Sequence, residues 1–192
     1  MDFSVTQLLQ IFVESLFVGF GILVPIIALI KTVNLKALRL KELFILQAVQ
    51  VVRVAGICYV LLQVPVFYDA WQLQKSGVTV PGGIFSYFGL MLFYSPVFYL
   101  IISQCFWFKK LYIKKAALIT MSILLLIIPS QQFMYFITSY FRTDYLPSSW
   151  TMYTGSLAGS LAIKTAINIV MFFCTIFVVM QVSGKLKFLA DK

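Results

Sequence analysis

Glu14, Arg53 and Lys164 are the three charged side chains that fall inside long apolar runs of this sequence. Charge in such surroundings is costly, and it normally faces the interior of a helix bundle or a water-filled cavity. A carboxylate there can hold a proton or a cation. A guanidinium or an ammonium can neutralise that carboxylate, or hold an anion. Amides extend each position at helical spacing. Gln7, Gln10 and Glu14 stand at i, i+3 and i+7, and Gln47 and Gln50 precede Arg53. Lys164 and Asn168 are i and i+4, and Gln131 and Gln132 follow Pro129, whose ring frees a backbone carbonyl.

At ~1.5 Å per residue, Arg53 sits ~15 Å from the nearer end of its run, Glu14 ~9 Å and Lys164 ~10 Å. A Glu14–Lys164 or a Glu14–Arg53 pair would relieve most of the burial cost of both members. Two uses of these residues compete. In one they line an outward-facing polar cavity, with Glu14 as a proton or cation site and Arg53 as a gate or an anion holder. In the other they join helices, within this chain or against partner subunits.

Covalent chemistry has little to work with. The sequence has no histidine, which removes His-ligated haem, most zinc and copper sites and His-based proton transfer. It contains no G-x-S-x-G, H-E-x-x-H, Walker A or G-x-G-x-x-G motif. Of six acidic residues only Glu14 lies within an apolar run, so no paired-carboxylate site is available. Cys58, Cys105 and Cys174 each lie in an apolar run without CxxC spacing, and read as small hydrophobes. The expectation is a non-enzymatic protein without metal or cofactor.

The elements that must carry these residues are helices in a membrane. The chain is 61% hydrophobic and 11% charged, against roughly 25% charged in a soluble domain. A membrane-crossing helix needs about 20 apolar residues. Five runs meet that length, at 8–30, 43–67, 84–108, 116–141 and 157–182. The fold class expected is therefore all-α, one polytopic domain of five transmembrane helices over 1–192.

Charge sets the direction of threading. Lys31, Lys36, Arg39 and Lys41 follow the first run, and Lys109, Lys110, Lys114 and Lys115 follow the third. Lys185, Lys187 and Lys192 close the chain, which makes eleven basic residues on one side. The other side has only Lys75 and Arg142. The positive-inside rule then puts the N-terminus outside and the C-terminus in the cytoplasm, which requires an odd number of crossings. The asymmetry fits a bacterial inner membrane. Trp71 and Trp150 mark the outer boundary, Trp107 and Tyr112 the inner one. The first run has no basic n-region and no A-x-A site, unlike a cleaved signal peptide. KTVNLKALRLKELF reads as a basic topology loop; the alternative is a short amphipathic turn lying on the inner membrane surface.

The net charge of +9 is spread over these short loops rather than gathered on one solvated face, so nucleic acid is not an expected partner. The expected partners are lipid and other membrane subunits, or copies of the chain itself. Gly155 and Gly159, with Ala158 and Ala162 alongside, offer a small-residue surface for close helix packing. The reading is a non-enzymatic subunit of a larger membrane complex. The alternative is a small oligomeric transporter or ion channel using Glu14, Arg53 and Lys164.

Overall fold

The computed structural model describes residues 5–75, 87–128 and 157–184. Among the described residues there are helices and turns and no strand. In chain order the helices are α1 (Val5–Leu29), α2 (Leu35–Lys75), α3 (Tyr87–Cys105), α4 (Lys109–Ile113), α5 (Lys115–Ile127) and α6 (Leu157–Val182). Among the described residues three stretches, Val5–Leu29, Leu35–Asp69 and Ala162–Val182, are long and apolar enough to cross a membrane. The fourth expected run is described only as far as Ile128. Gln131, Gln132 and Gly155 lie outside the described residues.

α2 begins earlier than the apolar run alone indicates. Asn34 takes the N-cap position: its Oδ1 accepts from the Lys36 N–H at 3.0 Å and its carbonyl from the Leu38 N–H at 2.9 Å. The residues that follow, KALRLKE, are strong helix formers despite their charge. Of the segment expected as a basic loop, Leu35 to Phe44 is therefore the start of a 41-residue helix, and only residues 31–34 link it to α1.

α1 is the hub, packing against α2, α5 and α6, while α3 lies on α2 and α5. Phe17, Phe20 and Val24 of α1 are buried, as are Val49 and Val52 of α2, Leu118 and Leu125 of α5, and Phe172 and Ile176 of α6. The Phe20 ring meets Phe106 edge-on at 5.2 Å and Phe172 at 6.1 Å. Contacts of this kind hold helices together where lipid removes the hydrophobic drive. Two glycines permit the closest approaches. A Cβ on Gly19 would overlap the Phe172 side chain, and one on Gly56 would overlap Ser103.

Two side chains fix the register. Lys41 Nζ donates to the carbonyl oxygens of Ala28 at 2.9 Å and Ile30 at 2.6 Å, so the end of α1 is level with Lys41. The Arg53 guanidinium donates to the carbonyl oxygen of Phe106, so the end of α3 is level with Arg53. The two points are ~18 Å apart along α2. α3 thus stops well short of the level at which α1 ends. The chain breaks there through i→i−3 bonds, from Phe106 N–H to Ser103 O, Trp107 N–H to Gln104 O and Phe108 N–H to Cys105 O. It then continues through α4 to Lys115, where α5 begins.

Candidate polar sites within the bundle

Glu14 sits on the face of α1 that meets α2. Its Oε1 accepts from the Tyr59 hydroxyl at 2.9 Å and from Gln10 Nε2 at 3.3 Å. Tyr59 is buried, and its ring stands edge-on to Phe17 at 5.8 Å and to Tyr99 at 5.2 Å. Phe17 and Tyr99 stack at 4.2 Å. Gln63, one turn beyond Tyr59 on α2, is also buried. The carboxylate is therefore held by neutral donors beside an aromatic wall. That arrangement can accept a proton or a cation, because no partner in it neutralises the charge.

Arg53 is bound at the break between α3 and α4. Its guanidinium donates to the Phe106 carbonyl, one of those left without an intrahelical partner at a helix C-terminus. The negative end of the α3 dipole adds to the attraction. Arg53 also lies over the Trp107 ring at 5.0 Å and the Tyr112 ring at 5.5 Å. Gln104 ties the two helices together. Its Nε2 donates to the Arg53 carbonyl oxygen at 3.1 Å, and its Oε1 accepts from Trp107 Nε1 at 2.6 Å. Arg53 Nε is buried without a hydrogen-bond partner.

The structure joins Glu14 to Gln10 and holds Arg53 on other partners. Among the described residues no ion pair links Glu14, Arg53 and Lys164. Geometry accounts for this. Gly19 faces α6 at Asn168 and Phe172, and Glu14, five residues earlier, is turned about 140° from that face. Lys164 is exposed on α6, and Asn168 is partly buried. The expected stripe on α2 also divides. Gln47 is 2% exposed with its Nε2 unpartnered, whereas Gln50 is exposed. On α6, Ala162 is exposed, while the burial of Ala158 and Gly159 falls outside the described set.

Tyr59, Gln104 and Trp107 complete these sites and were not singled out as site residues from the sequence. Tyr59 lies six residues after Arg53 in the same run, and only the packing of α1 shows that its hydroxyl meets Glu14. Gln104 and Trp107 carried a readable signal: amide and indole stand three apart at the end of an apolar run. Among the described residues no group of three or more His, Cys, Asp or Glu could hold a metal ion.

The fold and these sites define an all-α integral membrane protein, by the length and apolarity of its helices. Comparison with protein-family models, with curated proteins and with solved structures finds no match to this chain.

Proposed function

We propose that the chain is a non-enzymatic integral membrane subunit of a larger membrane assembly. It crosses a bacterial inner membrane five times, with its N-terminus outside and its C-terminus in the cytoplasm. The five apolar runs and the one-sided basic loops support that threading. The observation that carries the subunit reading is Lys164. It lies on an apolar helix and is exposed, and among the described residues no side chain pairs with it. Its neighbours Ile163 and Ile167 are exposed as well. α6 buries only 17% of its most apolar stretch inside the chain, against 50% for α1. An ammonium in such a face is best satisfied by a carboxylate or amide of a partner helix. Arg53 and Glu14, by contrast, already have partners that join this chain's own helices.

The test is gentle detergent extraction from the native membrane, then native mass spectrometry of everything that co-purifies. Different chains in fixed stoichiometry are expected, and Lys164→Leu should reduce their recovery. A lone monomer or a homo-oligomer would overturn the subunit reading.

A second reading, a small oligomeric transporter or channel, draws on Glu14, whose partners are the neutral groups of Tyr59 and Gln10. Under it, Glu14→Gln abolishes flux in liposomes and leaves the protein level intact.

A further inference from the structure

We infer that Glu14, Tyr59 and Gln63 hold a monovalent alkali-metal cation in the seam between α1 and α2. The inference gives a ligand to the Glu14 site on which the second reading rests. It concerns binding, whether or not the ion is carried across.

The first observation is how the carboxylate is held. The Tyr59 hydroxyl and Gln10 Nε2 both donate to the same oxygen, Oε1. Among the described residues nothing bonds to Oε2. No basic group among them reaches it either. Arg53 is held on the Phe106 carbonyl, and Lys164 is exposed on α6, which packs on another face of α1. A carboxylate within an apolar span needs a counter-charge. Glu14 and Gln10 are only half-buried, so a small ion can reach them from the end of the seam at which α1 begins.

The second observation is Gln63. Its side chain is 6% exposed, and among the described residues it has no hydrogen-bond partner. That state calls for a cause, because polar groups inside proteins are nearly always bonded. The helix register places the amide. Lys41 meets Ala28 and Tyr59 meets Glu14, so α1 and α2 run antiparallel. With Tyr59 level with Glu14, Gln63 is level with Gln10, one turn or ~6 Å further along the seam. Tyr59 and Gln63 share a face of α2 at i and i+4. Helical side chains lean toward their own N-terminus, which tilts the Gln63 amide back toward Glu14.

Hard cations take oxygen ligands. Glu14 Oε2 supplies the charge and Gln63 Oε1 a carbonyl oxygen. Tyr59 Oη keeps a lone pair after its proton is donated to Oε1. Water completes the shell. One carboxylate balances one positive charge, so a divalent ion would leave a surplus charge in the apolar span. A proton would satisfy Oε2 alone and leave the Gln63 amide unpartnered. An alkali cation satisfies both.

The experiment uses the full chain purified in a mild uncharged detergent, in choline chloride at fixed pH. Sodium, potassium or calcium chloride then replaces choline at constant ionic strength, and the thermal unfolding midpoint is followed. A ligand that binds only the folded chain raises it. A saturable rise is expected with sodium or potassium, and none in Glu14→Gln. Gln63→Leu should raise the cation concentration at half effect roughly tenfold, as for one lost bond to a charged group. It removes an unpartnered amide, so the fold is expected to survive. Gln50→Leu, exposed on the same helix, should leave the half-effect concentration unchanged. The same midpoint in choline and in alkali salts would overturn the inference. So would an equal rise in the wild type and Glu14→Gln, an unchanged half-effect concentration in Gln63→Leu, or tighter binding of calcium than of either alkali ion. Cation binding without flux in liposomes would uphold this site and remove the second reading.

Discussion

Arg53 on α2 donates to the carbonyl oxygen of Phe106, 53 residues further along the chain. This one bond explains why an arginine stands in the middle of an apolar run. α3 ends at the level of Arg53, and a helix end within a bundle leaves carbonyl groups that need donors. Arg53→Gln is therefore expected to lower stability by about 2 kcal/mol, the range for hydrogen bonds to charged groups. Arg53→Lys should fall between, since an ammonium keeps the charge and loses the planar fork. Unfolding of the purified variants in mixed micelles measures both. A wild-type midpoint for Arg53→Gln would show that the cap contributes nothing.

The contact between Gly56 and Ser103 predicts a rescue. A Cβ on Gly56 would overlap the Ser103 Oγ and Cβ. Gly56→Ala should thus push α2 and α3 apart at a cost of about 1–3 kcal/mol. Adding Ser103→Gly removes the obstructing atoms and should recover most of that loss, less the cost of roughly 1 kcal/mol for a helical glycine. The two changes must be non-additive if the contact is real. Simple addition would place the strain elsewhere.

The bond from Tyr59 to Glu14 invites a double-mutant cycle in the same assay. Tyr59→Phe keeps the buried ring and removes the donor. Interhelical hydrogen bonds in membranes average about 0.6 kcal/mol and reach about 1.7. Tyr59→Phe should cost an amount in that range, and in a Glu14→Gln background the cost should shrink. An unchanged cost in both backgrounds would mean that the hydroxyl serves another group.

Lys41 reaches back from α2 to the carbonyl oxygens of Ala28 and Ile30 and so closes the turn between α1 and α2. Lys41→Met removes this cap. Amide hydrogen exchange should then quicken over residues 26–38 and stay unchanged in the middle of α1. Uniform protection across the turn in the variant would show that Asn34 and local propensity suffice to hold it.

The parts of this molecule that could be read in the sequence are those set by local pattern. The last apolar run, expected at 157–182, coincides with α6, because nothing charged blurs its ends except Lys164. The start of α2 was misplaced because hydropathy penalises KALRLKE, whereas backbone propensity and the Asn34 cap favour helix there. Glu14 and Arg53 stood out as costly charges, yet their partners did not. A phenol on α2 and a backbone carbonyl at the end of α3 have no sequence signature as acceptors or donors of a distant charge. Gly19 and Gly56 were missed for the same reason: the neighbour each admits, Phe172 or Ser103, belongs to another helix and is not marked by local spacing.

Lys164 gives the prediction that separates a role in the fold from a role in assembly. Its side chain is exposed, and the buried stripe of α6 is carried by Phe172, Ile176 and Met180 further along. Replacing an exposed residue away from caps and networks usually changes stability by less than about 0.5 kcal/mol. Lys164→Leu should therefore leave the isolated chain's unfolding midpoint unchanged, or raise it slightly by removing a charge from an apolar face. Recovery of co-purifying chains from the native membrane should fall severalfold in the same variant, and Lys164→Arg should restore much of it because the charge returns. If the isolated Lys164→Leu chain instead loses stability, the ammonium belongs to this chain's own packing, and the partner-facing role of α6 fails. If stability and recovery both stay at wild-type values, the lysine only extends toward the headgroups, as long basic side chains near helix ends do.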